Sequence, residues 1–168
     1  NSRYHHFGVI NDFNEQRILI KQKLPKIMCS FNIGTNPKKR KLALKVLKKI
    51  RLVDTINGLT AHEYREKLNN YMFHACPEGN GLDTYRVWES IYLNVIPIVI
   101  KNKFYSQFEN FPSLILNDWS ELELYTKNDL KKIYTLNLKK LNECKYIWFD
   151  YWNKKVNCIF KSKNILIS

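Results

Sequence analysis

The chain has 168 residues, 45% hydrophobic and 14% aromatic, enough apolar material for a folded domain and too much for a disordered polypeptide. Twenty-eight Lys and Arg against 15 Asp and Glu give a formal net charge of +13, which attracts polyanions such as nucleic acid, anionic membrane or a nucleotide diphosphate. Four cysteines without a Cys-x-x-C pair exclude zinc-ribbon and dithiol redox motifs, and no apolar run is long enough to cross a bilayer.

Residues 1–24 show no clean hydrophobic period and read as an irregular lead-in or interdomain linker. The adjacent His5 and His6 are a metal pair only on the sharper reading; an incidental surface feature is the plainer one. No signal-like start is present, so a cytoplasmic location is the favoured expectation. The start at Asn1 rather than Met suggests a piece of something longer.

From Pro25 onward the pattern becomes regular. Lys26–Phe31 reads as a buried strand, and Asn36-Pro37 supplies a helix cap followed by proline at the first helical position. Leu42, Val46, Leu47 and Ile50 continue that helix. Its opening run, Lys38-Lys39-Arg40-Lys41, is a weak nucleic-acid signal and an ordinary solvated face on the plainer view. Arg51–Ile56 reads as a second strand. Thr60-Ala61-His62-Glu63 is a capping box for a helix to about Asn69. Tyr71–Cys76 is a third strand, stopped by Pro77, and Gly79-Asn80-Gly81 is a loop. Asp83 is expected to cap a helix running to Leu93, with Asn94 in the left-handed position beyond it.

Val95–Ile100 is apolar throughout, as a strand buried on both faces must be, which favours a parallel sheet covered by helices. Ser113–Asn117 is a fifth strand, Asp118-Trp119-Ser120-Glu121 starts another helix, and the chain from Asp129 onward reads as helix. Strands alternating with helices predict an α/β, Rossmann-like sheet across residues 25–168. Cys29 and Cys76 fall in the apolar runs and are expected to be buried, reduced thiols.

The segment Cys76–Glu89 carries the chemistry. It joins a buried strand to a helix N-terminus, where unpaired amides and partial positive charge favour phosphate. Gly79 and Gly81 lack a Cβ, so backbone can approach a ligand closely. Arg86, in the first turn, has a planar fork suited to diphosphate oxygens. Glu89, one turn on, can accept both hydroxyls of a ribose. Together these are the requirements of a nucleotide-sugar site. The motif is neither a Walker loop nor Gly-x-Gly-x-x-Gly. A plainer alternative stays open: an ordinary turn, an ordinary cap, and an Arg86–Glu89 surface pair worth under about 1 kcal/mol.

The run from Tyr71 to Val99, YMFHACPEGNGLDTYRVWESIYLNVIPIV, resembles the donor-site signature of exostosin-like glycosyltransferases and related GT-B enzymes. The shared positions are Pro77, Gly79, Asn80, Gly81, Asp83, Arg86, Trp88, Glu89, Ile96 and Pro97. Asn94 departs, standing where that family usually has Gly. Weaker similarity in FNIGTNPKKR, HEYREKL, Asn117-Asp118-Trp119 and Tyr151-Trp152 extends it over most of residues 27–153.

The resemblance implies the donor-binding half of a two-domain enzyme acting on a glycan or protein acceptor. By position, Arg86 would bind the diphosphate and Glu89 the ribose. Glu78, the amides of Gly79, Asn80 and Gly81, and Asp83 would line the sugar-phosphate pocket. Asn32 and Thr35 would face the same crevice, and Arg40 would add a second cation. No metal or other cofactor is expected, in keeping with the missing Asp-x-Asp triplet, because Arg and a helix N-terminus can stabilise the leaving diphosphate. The acceptor site and catalytic base would sit on an N-terminal Rossmann-like domain that this chain lacks, so no catalytic residue is assigned. His74, mid-strand, reads as a packed residue rather than a base. The alternatives are a catalytically inactive binding module and, less favoured, a basic nucleic-acid binder.

Overall fold

The computed structural model describes residues 22–147 and 149–162; the lead-in up to residue 21, with His5 and His6, lies outside them. Two compact units emerge, one of residues 20–143, the other including the chain from Cys144 onward.

The first unit holds five strands: β1 (Leu24–Cys29), β2 (Val53–Thr55), β3 (Tyr71–Ala75), β4 (Ile96–Ile100) and β5 (Leu114–Leu116). All neighbours run parallel, in the order β2-β1-β3-β4-β5. Four helices alternate with them or follow: α1 (Pro37–Leu47), α2 (Ala61–Leu68), α3 (Tyr85–Tyr92) and α4 (Lys127–Asn142). This is a Rossmann-like α/β arrangement, as the alternation predicts. Strand Ile96–Ile100 sits next to the edge strand yet buries Ile96, Ile98 and Val99, because helices cover both faces.

Side-chain alternation along β3 identifies the layers. Phe73 meets Tyr134 of α4, with ring centroids 6.1 Å apart, while His74 meets Tyr64 of α2 and Ser90 of α3. Successive strand residues point to opposite faces, so α4 covers one face and α2 with α3 the other. The chain steps from β1 to β2 in one direction and from β2 through β3 to β4 in the opposite one. Right-handed crossovers therefore place α1 on the face of α4.

Several caps form as the sequence dictates. Asn36 accepts from the Lys39 amide at 3.2 Å ahead of Pro37, Thr60 and Glu63 form the capping box, and Asn94 adopts φ 54°. Two further capping boxes, Asp118 with Glu121 and Thr126 with Asp129, open a short 3-10 stretch (Trp119–Leu124) and α4. One cap is displaced. Thr84, not Asp83, is the N-cap residue of α3, and its hydroxyl makes no capping bond.

The helix expected from Asp129 onward is interrupted. Helix α4 ends at Asn142, and Glu143 turns out of it at φ −93°, ψ −2°. In the second unit, a 3-10 turn (Lys145–Ile147) precedes α5 (Phe149–Ser162). There Tyr151 packs edge-on to both Tyr146 and Trp152, and the Trp152 indole donates to the Tyr146 carbonyl at 2.8 Å. All four cysteines are free thiols; Cys29, Cys76 and Cys144 are buried and Cys158 is exposed. Among the described residues, no helix is long and apolar enough to cross a membrane.

Candidate functional site

Strand order reverses between β1 and β3, and a parallel sheet opens a crevice at the carboxyl ends of two such strands. The loop after β1 (residues 30–36) and the loop after β3 (residues 76–84) meet there.

Arg40 joins them. It rises from the first turn of α1, is 2% exposed, and turns inward between the loops. Its Nε donates to the Glu78 carbonyl at 2.9 Å, and Nη2 to the Pro77 carbonyl at 3.3 Å. From the other side, Nη1 donates to the Asn32 carbonyl at 2.6 Å and to Thr35 Oγ1 at 2.9 Å. Phe31 lies under the guanidinium at 5.6 Å. Burial, and secondarily the Arg86 charge, lower the Arg40 pKa from its ordinary value. Four of its five N–H groups are spent on protein oxygens, so Arg40 fastens the crevice rather than offering a free fork to a ligand. Asn32 and Thr35 are exposed, yet Thr35 Oγ1 and the Asn32 carbonyl both accept from that fork.

The glycine loop has a reason the sequence did not reveal. A Cβ on Gly79 would lie 3.0 Å from Arg40 Nη2, so glycine leaves room for the arginine. Gly81 has ordinary space around it, with nothing nearer than 3.7 Å. Asn36 also donates to the Gly79 carbonyl at 2.9 Å. Asn80 and Gly81 are exposed at the loop tip. Glu78 is engaged on both oxygens: Lys39 pairs with one, and Asn102 donates to the other at 2.8 Å. Asn102 simultaneously accepts from the Phe104 and Tyr105 amides, tying the loop after β4 to the same rim.

Asp83 does not cap α3. Its carboxylate accepts from the Thr84 amide at 2.7 Å, from the Trp88 indole at 2.8 Å and from the Tyr105 hydroxyl. Trp88 and Tyr105 both pack on Phe111. Asp83 thus pins the loop to an aromatic cluster.

Arg86 and Glu89 are placed differently. Arg86 Nε donates to the Ser30 carbonyl at 2.8 Å, which aims the guanidinium at the end of β1. Its terminal nitrogens have no hydrogen-bond partner among the described residues. The Glu89 carboxyl is half-buried, and burial raises its pKa from the ordinary value; the Arg86 charge, a hydrogen bond from Tyr64 and the Arg65 charge partly offset that rise. Both groups rise from the same face of α3, and the Arg86 charge acts on the Glu89 carboxyl.

Behind them lies a buried polar chain. Ser90 Oγ donates to the Arg86 carbonyl at 2.6 Å, so towards His74 Nδ1, 2.8 Å away, it acts as acceptor. His74 is fully buried and its pKa falls to about 3, chiefly through burial and then the Arg86 charge. It is neutral, with its proton on Nδ1 and Nε2 facing the Tyr64 hydroxyl at 3.5 Å. Cys76 Sγ lies 3.3 Å from Nδ1, and burial pushes its thiol pKa up. As the strand position predicts, His74 is a packed residue, out of reach of a ligand.

Among the described residues no group of three or more His, Cys, Asp or Glu is gathered to hold a metal ion. No protein-family model matches this sequence, and no curated protein does. Tyr64, Lys39 and Asn102 belong to the site without having been singled out in the sequence. Their partners lie 10, 39 and 24 residues away, beyond the reach of any local pattern.

Proposed function

We propose that the crevice between the loops after β1 and β3 binds a nucleotide-sugar donor, and that the chain is the donor-binding half of a metal-independent, GT-B-type glycosyltransferase. The observation that carries this is Arg86, whose terminal nitrogens have no hydrogen-bond partner among the described residues, with the half-buried Glu89 on the same helix. A planar cation with open donors suits a diphosphate, and a neighbouring carboxylate suits a ribose diol. The N-terminus of α3 adds partial positive charge on the same side. A UDP- or GDP-sugar is the favoured donor class. No group here is placed as a general base, since His74 is sealed in the core; acceptor binding and acid–base chemistry fall to a companion Rossmann-like domain.

Calorimetric titration of the chain with UDP, GDP and ADP tests this reading. At least one should bind, and Arg86→Ala and Glu89→Gln should each weaken it about tenfold or more, the loss expected for charge-assisted hydrogen bonds. Absence of binding to all three at millimolar concentration refutes it. Salt-sensitive RNA binding insensitive to Arg86→Ala would instead favour a polyanion surface built on the general +13 charge.

A further inference from the structure

We propose that the face of the sheet covered by α1 and α4 is a docking surface for an anionic lipid bilayer. The inference is independent of what the crevice binds.

The basic residues are not spread evenly over the helices. Helix α1 carries five of them and no acid, and α4 carries five with one acid, Asp129. On the opposite face α2 sets Arg65 and Lys67 against Glu63 and Glu66, and α3 sets Arg86 against Glu89. One face is therefore strongly cationic and the other is balanced. Of the exposed lysines on α1 and α4, only Lys39 has an ion-pair partner among the described residues. Lys41 and Lys45, one turn apart, repel each other in the free protein, and an anionic surface relieves that repulsion.

The same spacing recurs on both helices. Lys38, Leu42 and Lys45 on α1, and Lys132, Leu136 and Lys139 on α4, follow one another by four and then three residues, which sets each trio on one stripe. Both stripes face solvent: Leu42 is 60% exposed and Leu136 is 61% exposed. The inward sides are Arg40, Ala43 and Leu47 on α1, and Leu130, Asn137 and Leu141 on α4. Leu124, 83% exposed, ends the 3-10 stretch that lies against α1. A lone exposed leucine is ordinary. A leucine set between lysines one turn before and one turn after it, twice on one face, suits a bilayer interface. There the leucine enters the headgroup layer, while lysine stems lie along it and their ammonium groups reach lipid phosphates.

A nucleic acid fits this face less well. Nucleic-acid surfaces add arginine forks and stacking aromatics to their lysines. Here Arg40 is turned inward. Tyr134, the one aromatic residue of the two helices, packs on Phe73 and donates its hydroxyl to the Asn94 carbonyl.

Co-sedimentation of the whole chain with vesicles tests the proposal. The chain should sediment with phosphatidylcholine vesicles containing about one-third phosphatidylserine, and not with phosphatidylcholine alone. Raising salt from about 0.1 M to about 0.5 M should release it. Lys38→Gln, Lys45→Gln, Lys132→Gln and Lys139→Gln combined should weaken binding about a hundredfold or more. The same charge removed elsewhere, by Lys67→Gln, Lys101→Gln, Lys103→Gln and Lys154→Gln combined, should cost less than about tenfold. Leu42→Gln with Leu136→Gln should weaken vesicle binding about fivefold or more and leave affinity for a single-stranded RNA unchanged. No sedimentation of the wild type with the mixed vesicles overturns the proposal. Equal losses in the two four-lysine variants overturn it too, since the attraction would then belong to the whole chain's charge. A leucine variant that binds vesicles as the wild type does, with RNA displacing both from them, overturns it in favour of a nucleic-acid surface.

Discussion

Mild acid should weaken this fold through His74, and the size of the effect follows from its surroundings. The imidazole is fully buried and neutral, with a pKa of about 3 against an ordinary 6.5. In the unfolded chain it takes up a proton below 6.5; in the folded chain it resists until about 3. A histidine with a depressed folded pKa contributes stability that is complete above 6.5 and is lost as pH falls through that window. At pH 5 the loss is roughly 1.5 units at about 1.4 kcal/mol each, or about 2 kcal/mol, growing further towards pH 3. Urea unfolding at pH 7 and pH 5 measures it. His74→Asn is the control, since its amide can still donate to Ser90 without titrating. The variant loses stability at pH 7, on the order of 1–2 kcal/mol for lost packing, but its pH 7 to pH 5 difference should be smaller than wild type by about 2 kcal/mol. Every other titratable group is common to both proteins, so its contribution cancels in the difference. Equal pH differences in the two proteins would refute a neutral, buried His74.

Two further outcomes are expected. Gly79→Ala places a Cβ 3.0 Å from Arg40 Nη2 and should destabilise by about 1–2 kcal/mol in thermal unfolding while weakening nucleotide binding, because the displaced arginine holds both loops. Thr84→Val replaces a buried hydroxyl that has no partner, so denaturation should find it neutral or slightly stabilised, whereas a cap that bonded the helix would have lost about 1 kcal/mol.

The layers were legible in the sequence wherever the cause was local. A fully apolar Ile96–Ile100 requires cover on both faces, and Asn36-Pro37, Thr60–Glu63 and Asn94 each satisfy backbone within a few residues of themselves. The site was legible in its membership more than in its roles. Glu78 is expected to line the donor pocket and Asp83 to cap α3 as well; instead Lys39 and Asn102 occupy Glu78, and Trp88 and Tyr105 occupy Asp83. Gly79 looks like clearance for a ligand and proves to be clearance for Arg40. Arg40 itself sits in the densest basic run of the chain, where three lysines remain outside and one arginine turns in. Hydrophobic periodicity carries no sign of that inversion, because the partners are main-chain carbonyls from distant loops. The break after Asn142 was missed for a similar reason, since apolar residues continue on both sides of it.

Arg40 also sets where this crevice can vary. Both walls close on a single guanidinium, so neither loop can drift without stripping hydrogen bonds from the other, and the donor proposed above would meet a rim already in place. Little of its binding energy would be spent on ordering the walls. Substitutions in the walls should disturb folding, and with it the proposed recognition. The exposed tip, from Asn80 to Leu82, and the exposed ring of Tyr85 stand apart from that fastening. If the crevice binds the donor proposed above, those four positions are where selectivity among donors can be altered while the scaffold stays as it is.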